Sequence, residues 1–185
     1  GQISANLLEV SAVRLYHDNV LAKQSGCGRT PWHFDDHHFP LDTNDVVTAW
    51  APAQPTPIEM GPLSFAYPLD VHKLIKDVTF EKTGTGYDRE VSNIFSKNNV
   101  NVNATPFELG EVSFHHNLNF HTASSNRTNC SRIALANTYY RDGARVINSP
   151  TMVSGDWQKF MPNVKPGDVA ASPLNPICWP VKDKS

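Results

Sequence analysis

The sequence predicts a mainly β fold, a jelly roll or open barrel with a few short helices. Short segments rich in β-branched and aromatic residues recur along the chain, most of them bounded by Gly or Pro. Only two internal stretches, 70–77 and 87–97, pattern as helix. The 185 residues suit one domain, able to bury roughly 70% of its unfolded surface, so 1–185 is read as a single domain.

In chain order, residues 1–10 pattern weakly as helix, and 12–22 alternate imperfectly as a strand. Gly26-Cys27-Gly28 marks a turn. Thr30 to Phe34 reads as a strand whose Pro31 favours an edge or a strand start. Val46 to Ala51 is the clearest β segment, and Pro52, Pro55 and Pro57 break the chain after it. Gly61-Pro62 opens a short strand over Leu63 to Tyr67. Asp88 is placed to cap the helix over 87–97. Segments 100–109, 111–115 and 118–122 read as strands, and Ser131 to Arg141 as a long one. The tail from Pro150 reads as irregular, with Trp157, Phe160 and Trp179 as anchors.

Composition excludes several classes of function. Sixteen Lys+Arg against eighteen Asp+Glu leave a net charge of -2, so no basic field draws in nucleic acid or an anionic membrane. The longest apolar run, Ile133 to Ala136, is too short to span a bilayer. No basic segment followed by an apolar stretch opens the chain, so a cytoplasmic location is expected. Three cysteines at unrelated spacings make neither a disulfide framework nor a zinc knuckle. The expected partner is a small-molecule substrate.

Six of the eight histidines fall in two windows, His33/His37/His38 and His115/His116/His121. On a strand, His33 and Asp35 would project to one face. An imidazole beside a carboxylate offers two ligands to a divalent metal. His37 shares their parity and is a rival for the third ligand. In the second window, a hairpin from His121 through Thr122–Cys130 would return Arg132 beside it. A guanidinium near a metal-bound imidazole suits a small dicarboxylate, because its planar fork binds a carboxylate through two hydrogen bonds.

Taken in order, these pieces resemble the phytanoyl-CoA dioxygenase family of Fe(II)/2-oxoglutarate oxygenases. The resemblance runs over about residues 13–141. It rests on Leu15-Tyr16-His17-Asp18 leading to Lys23, Trp32-His33-Phe34-Asp35, Val47-Thr48-Ala49-Trp50 and Met60-Gly61-Pro62-Leu63. It continues through Gly110 to His115, then Phe120-His121, Asn126-Arg127 and Ser131-Arg132, with a spacing of eleven from His121 to Arg132. Two positions depart from the family pattern. Ala123 stands where a Ser is common, and Tyr67-Pro68-Leu69-Asp70 replaces a Gly-Ser-His. Family members also carry a helical segment, with a basic residue that reaches 2-oxoglutarate, ahead of the lead-in strand; the expectation is that 1–185 lacks it.

The resemblance implies a double-stranded β-helix, cupin-like, with His33, Asp35 and His121 as iron ligands in preference to His37, His115 and His116. It implies Arg132 as the anchor of 2-oxoglutarate and Trp50 on a strand lining that pocket. The cofactors would be Fe(II), 2-oxoglutarate as co-substrate, and O2, and the reaction hydroxylation with decarboxylation of 2-oxoglutarate to succinate. Asp35 favours hydroxylation over halogenation, since related halogenases have a small residue there. Substrate selectivity is expected in loops 52–59, 78–100 and 142–165. One rival reading is a metal-binding jelly roll without oxygenase turnover. Another is a cupin-type isomerase or hydrolase, which would have no need of Arg132.

Overall fold

The computed structural model describes residues 1–80, 85–151 and 154–180. Residues 81–84 and 152–153, in the loops expected to carry selectivity, lie outside them.

Two antiparallel sheets build the fold. The strands are β1 (Val13–Lys23), β2 (Thr30–His33), β3 (Val46–Pro52), β4 (Leu63–Tyr67), β5 (Asn101–Ala104), β6 (Ser113–His116), β7 (His121–Ala123), β8 (Arg132–Arg141) and β9 (Ile177–Trp179). One sheet has the order β6-β3-β8-β1-β9 and the other β2-β7-β4-β5. Curled antiparallel sheets with few helices make this a jelly roll of the cupin-like kind.

The inward faces explain the stacking. Along β8, Arg132, Ala134, Ala136, Thr138 and Tyr140 are buried and alternate with more exposed neighbours, the period-two signature of a strand with one face on the core. Small Ala134 and Ala136 make room for Trp50, Leu63 and Phe107. Thr48 Oγ1 and Thr138 Oγ1 share a hydrogen bond of 2.9 Å, so a buried hydroxyl pair satisfies itself across β3 and β8.

Two helices flank the sheets, α1 (Gln2–Leu7) and α2 (Gly86–Lys97). Tyr87, Val91 and Phe95 recur at helical spacing on α2 and are its buried residues. They pack with Trp32 and Phe120, whose rings stack at 5.4 Å, while Phe95 meets Trp32 edge-on at 5.1 Å. The Tyr87 hydroxyl donates to the Trp32 carbonyl at 2.9 Å, and Arg29 pairs with Asp88. This helix therefore clamps the strand that ends in His33.

Several elements differ from the sequence expectation. Asp88 is not the cap: Thr85 holds that position without a side-chain bond, and Asp88 turns to Arg29 instead. Residues Leu69–Ile75 form a 3-10 helix rather than an α-helix. The strand expected over 100–109 ends at Ala104, because Pro106 cannot donate to a ladder; Phe107 keeps only an isolated bridge to Thr56. The strand expected over 118–122 begins at His121, since Asn119 closes a turn onto the His116 carbonyl. In the tail, Ile177–Trp179 forms β9 on the edge of β1, and Trp157 is a buried anchor.

Candidate active site

His33 and His121 come together through strand register. β2 pairs with β7, and His33 sits directly opposite His121. Their rings lie 4.2 Å apart. Each imidazole is locked in the same way. His33 Nδ1–H donates to the Pro31 carbonyl at 2.8 Å, and His121 Nδ1–H donates to the Asn119 carbonyl at 2.9 Å. A carbonyl only accepts, so both rings carry a proton on Nδ1 and turn Nε2 to the centre.

Asp35 completes the cluster, but not by strand parity. β2 ends at His33, and Asp35 lies beyond it at the start of a 3-10 turn. Its amide donates to the Asn117 carbonyl at 2.8 Å, which ties this turn to the segment between β6 and β7. Its Oδ1 lies 3.6 Å from His33 Nε2 and 3.9 Å from His121 Nε2. Among the described residues, His33, Asp35 and His121 form the one group of three able to share a metal ion, with ligand atoms all within 4.8 Å of one another.

Protonation suits a cation. Burial pushes the His121 imidazole down to about 3, against the opposing pull of Asp35. Burial alone would raise the Asp35 carboxyl, but His121, His115 and His33 around it outweigh burial and hold it well below the usual carboxylate range. At neutral pH this gives a neutral imidazole and a carboxylate, the forms a metal requires.

A stability prediction follows. The folded value of His121, about 3, lies below its ordinary 6.5. Between these values the unfolded chain binds the extra proton, so the metal-free protein loses stability as pH falls. Asp35 acts in the same direction, its contribution being lost as pH falls below the ordinary carboxylate range. Melting of the metal-free protein from about pH 7 to about pH 4 should show a steadily falling midpoint, with the first part of the fall attributable to the histidine. A flat profile would mean that His121 is not held neutral.

The other histidines separate by position. His37 and His38 are exposed on the turn after Asp35, and His37 rests on Phe34 at 4.3 Å. His116 Nδ1 accepts from the Leu118 amide at 3.2 Å. His115 is different. It is 5% exposed, its Nε2 faces Asp35 Oδ2 at 3.7 Å, and its Nδ1 has no partner. The β6–β3 register turns it inward.

Arg132 does not return beside His121 in a hairpin. β7 and β8 belong to different sheets, so the intervening loop crosses the sandwich. The guanidinium is buried, lies 5.2 Å from the centre of the Trp50 ring and donates to the Gly61 carbonyl. Gly61 has φ +73, and a Cβ there would lie 2.3 Å from the Ser124 carbonyl oxygen, so glycine is required. Opposite Arg132 in register stands Lys23, also buried. Its ammonium donates to the carbonyls of Gly28, Ser124 and Ala123 at 2.8, 2.7 and 3.4 Å. Burial, and then the charge of Arg132, bring Lys23 down to about 8. The sequence offered Lys23 only as part of a lead-in strand; its position beside Arg132 depends on pairing across more than a hundred residues. Arg127 is exposed.

Two buried cations side by side, with no carboxylate among the described residues paired to either, leave a local excess of positive charge. Arg132 Nε and Trp50 Nε1 are buried donors without a partner. Such orphaned donors ask for an anion or another acceptor.

A sequence profile of the phytanoyl-CoA dioxygenase (PhyH) family matches residues 2–134. The chain belongs to the phytanoyl-CoA dioxygenase family. That family uses Fe(II), 2-oxoglutarate and O2. Solved structures share the fold of this PhyH-family chain. The non-heme alpha-ketoglutarate-dependent carbocyclase SnoK from nogalamycin biosynthesis superimposes with a TM-score of 0.73 at 24% identity, over 95% of this chain and 66% of that one. The epimerase SnoN, in complex with Fe3+, alpha-ketoglutarate and nogalamycin RO, gives 0.72 at 20% identity, over 95% and 68%. ThoJ, a non-heme monooxygenase in its apo form, gives 0.58 at 20% identity, over 81% and 53%. The chain thus spans 66% of the length of SnoK. No curated protein sequence matches the chain. Among the described residues, no helix is long and apolar enough to cross a membrane.

Proposed function

We propose that this PhyH-family chain is an Fe(II)/2-oxoglutarate-dependent oxygenase that hydroxylates a small molecule, with His33, Asp35 and His121 as iron ligands. The observation that carries the reading is the pair of Nε2 atoms with Asp35 Oδ1 between them, each imidazole fixed through its far nitrogen. Two imidazoles and one carboxylate suit Fe(II) and leave coordination positions for oxygen donors. Hydrogen bonds on the far side of a ligating imidazole set its tautomer and aim. Bound there, Fe(II) with 2-oxoglutarate and O2 supplies the oxidant for an unactivated C–H bond.

The chain itself supplies binding, orientation and a dry surrounding. Arg132 holds the distal carboxylate of 2-oxoglutarate, its free Nε being a donor in waiting. Trp50 stacks against that guanidinium and fixes its plane. Lys23 adds a second positive charge and pins the Ala123–Ser124 backbone through its carbonyl contacts. It does so where the family's serine is replaced by Ala123. Phe65 packs against the Trp50 cluster and against both His115 and His121, which keeps water from the space around the ligands. Asp35 would serve as a carboxylate ligand where related halogenases have a small residue, which favours hydroxylation over halogenation.

Turnover provides the test. Fe(II)-loaded protein should convert 2-oxoglutarate to succinate and CO2 in an O2-dependent way. With a true substrate and 18O2, one labelled oxygen should enter the product. Product without label would point to ring closure or epimerisation, the activities named for SnoK and SnoN. No succinate under any condition would favour a metal-binding jelly roll without turnover.

A further inference from the structure

The sandwich is open along one side. β6 is an edge strand of the larger sheet and β5 an edge strand of the smaller. Between them lies a cleft of about 740 Å³, roofed by the irregular segment that follows β5. Its inner end is formed by His115 and Asn119. Both touch the metal centre: His115 faces Asp35, and the Asn119 carbonyl holds His121. The outer end carries Glu108 and Glu111. The cleft thus ends against residues that contact the metal ligands, although His33, Asp35 and His121 do not line it themselves. Its residues are not those of the loops 52–59, 78–100 and 142–165, in which selectivity was expected, because the opening follows the gap between sheet edges.

Two polar atoms in this cleft lack partners. His115 Nδ1 and Ser113 Oγ are both buried and unbonded, and the His115 side chain as a whole is 5% exposed. Its Nε2 lies 3.7 Å from an Asp35 carboxylate oxygen, which leaves Nδ1 as the ring nitrogen without a partner. A buried polar atom beside a cleft is satisfied by a polar group from whatever fills it. The walls include the rings of Phe65, Tyr67 and Phe107, which suit a flat or ring-bearing body. At the mouth, Glu111 Oε2 accepts from the Glu108 amide at 2.7 Å, which fixes the two acids beside each other. Neither forms an ion pair with a described residue.

We propose that this cleft is the substrate pocket and that its substrate is a ring-bearing molecule with a protonated amine. The amine lies between Glu108 and Glu111, and a polar group of the same molecule meets His115 Nδ1. Ser113 Oγ takes a further polar group. The proposal rests on the reading of His33, Asp35 and His121 as the reaction centre, since it is their nearness that makes the cleft a substrate pocket.

The test uses three probes that share a phenol ring and differ in charge at the other end: tyramine, N-acetyltyramine and 4-hydroxyphenylacetate. Titrated by NMR against the full chain, tyramine should bind about fivefold more tightly than the neutral probe, and the anion more weakly than either. The double variant Glu108→Gln/Glu111→Gln should lose the preference for tyramine. If that variant does not fold, salt answers the same question in the wild type. Raising NaCl from about 50 mM to about 500 mM should erase the preference. Equal binding of all three probes, no binding of tyramine, or a preference that survives either change overturns the proposal. The titration needs neither iron nor 2-oxoglutarate, so a failure of oxygenase turnover leaves its expected result unchanged.

Discussion

His121→Ala should abolish iron retention, whereas His37→Ala should leave it intact. Loss of an outer hydrogen-bond partner of a metal ligand typically costs ten- to a hundredfold in metal affinity, so loss of the ligand itself should cost more than about a hundredfold. His121 is buried between His33, His115 and Asp35, and its register opposite His33 leaves no second imidazole on β7 to replace it. His37 is exposed, and an exposed substitution away from the site should change affinity by no more than about twofold. Iron content after desalting, with equilibrium titration of Fe(II) under anaerobic conditions, measures both. Retention by the His121 variant together with loss by the His37 variant would refute the ligand choice.

Arg132→Lys should weaken 2-oxoglutarate while sparing iron. Lysine keeps the positive charge but loses the planar fork and the stacking on Trp50. A hydrogen bond to a charged group contributes about 1.5–3 kcal/mol, so 2-oxoglutarate affinity should fall about ten- to a hundredfold. Fe(II) affinity should stay within about twofold, because the metal ligands come from β2, the turn after it, and β7, whereas Arg132 stands on β8 in the other sheet. Isothermal titration of each ligand separates the effects. Loss of both together would make the arginine a structural residue, holding Gly61 and Trp50 in place rather than binding co-substrate.

The part of the site legible in the sequence was the part written in local residue types. Trp32-His33-Phe34-Asp35 and the Phe120-His121 to Arg132 block point to a ligand set through their resemblance to the family, and the structure brings His33, Asp35 and His121 into one cluster. The geometry behind that cluster could not be read. Strand alternation predicts that His33 and Asp35 face the same way along a strand, but Asp35 sits in a turn held by the Asn117 carbonyl. A hairpin predicts Arg132 beside His121, but the chain changes sheets between them. His115 and Lys23 owe their places to pairings between strands distant in sequence, β3 with β6 and β1 with β8. Such register is set by the packing of whole faces and leaves little local trace. Much of the fold was accessible for the opposite reason. The long strands β1, β3 and β8 carry enough alternation and β-branched residues to be recognised, whereas three-residue β9, in the tail read as irregular, does not.

The most direct test of the central claim is optical. Fe(II) added anaerobically to the metal-free protein, followed by 2-oxoglutarate, should produce a weak visible charge-transfer band. The band should saturate at one equivalent of iron, weaken in Arg132→Lys at limiting 2-oxoglutarate, and be absent in His121→Ala. No band from the wild-type chain at saturating Fe(II) and 2-oxoglutarate would contradict the oxygenase reading.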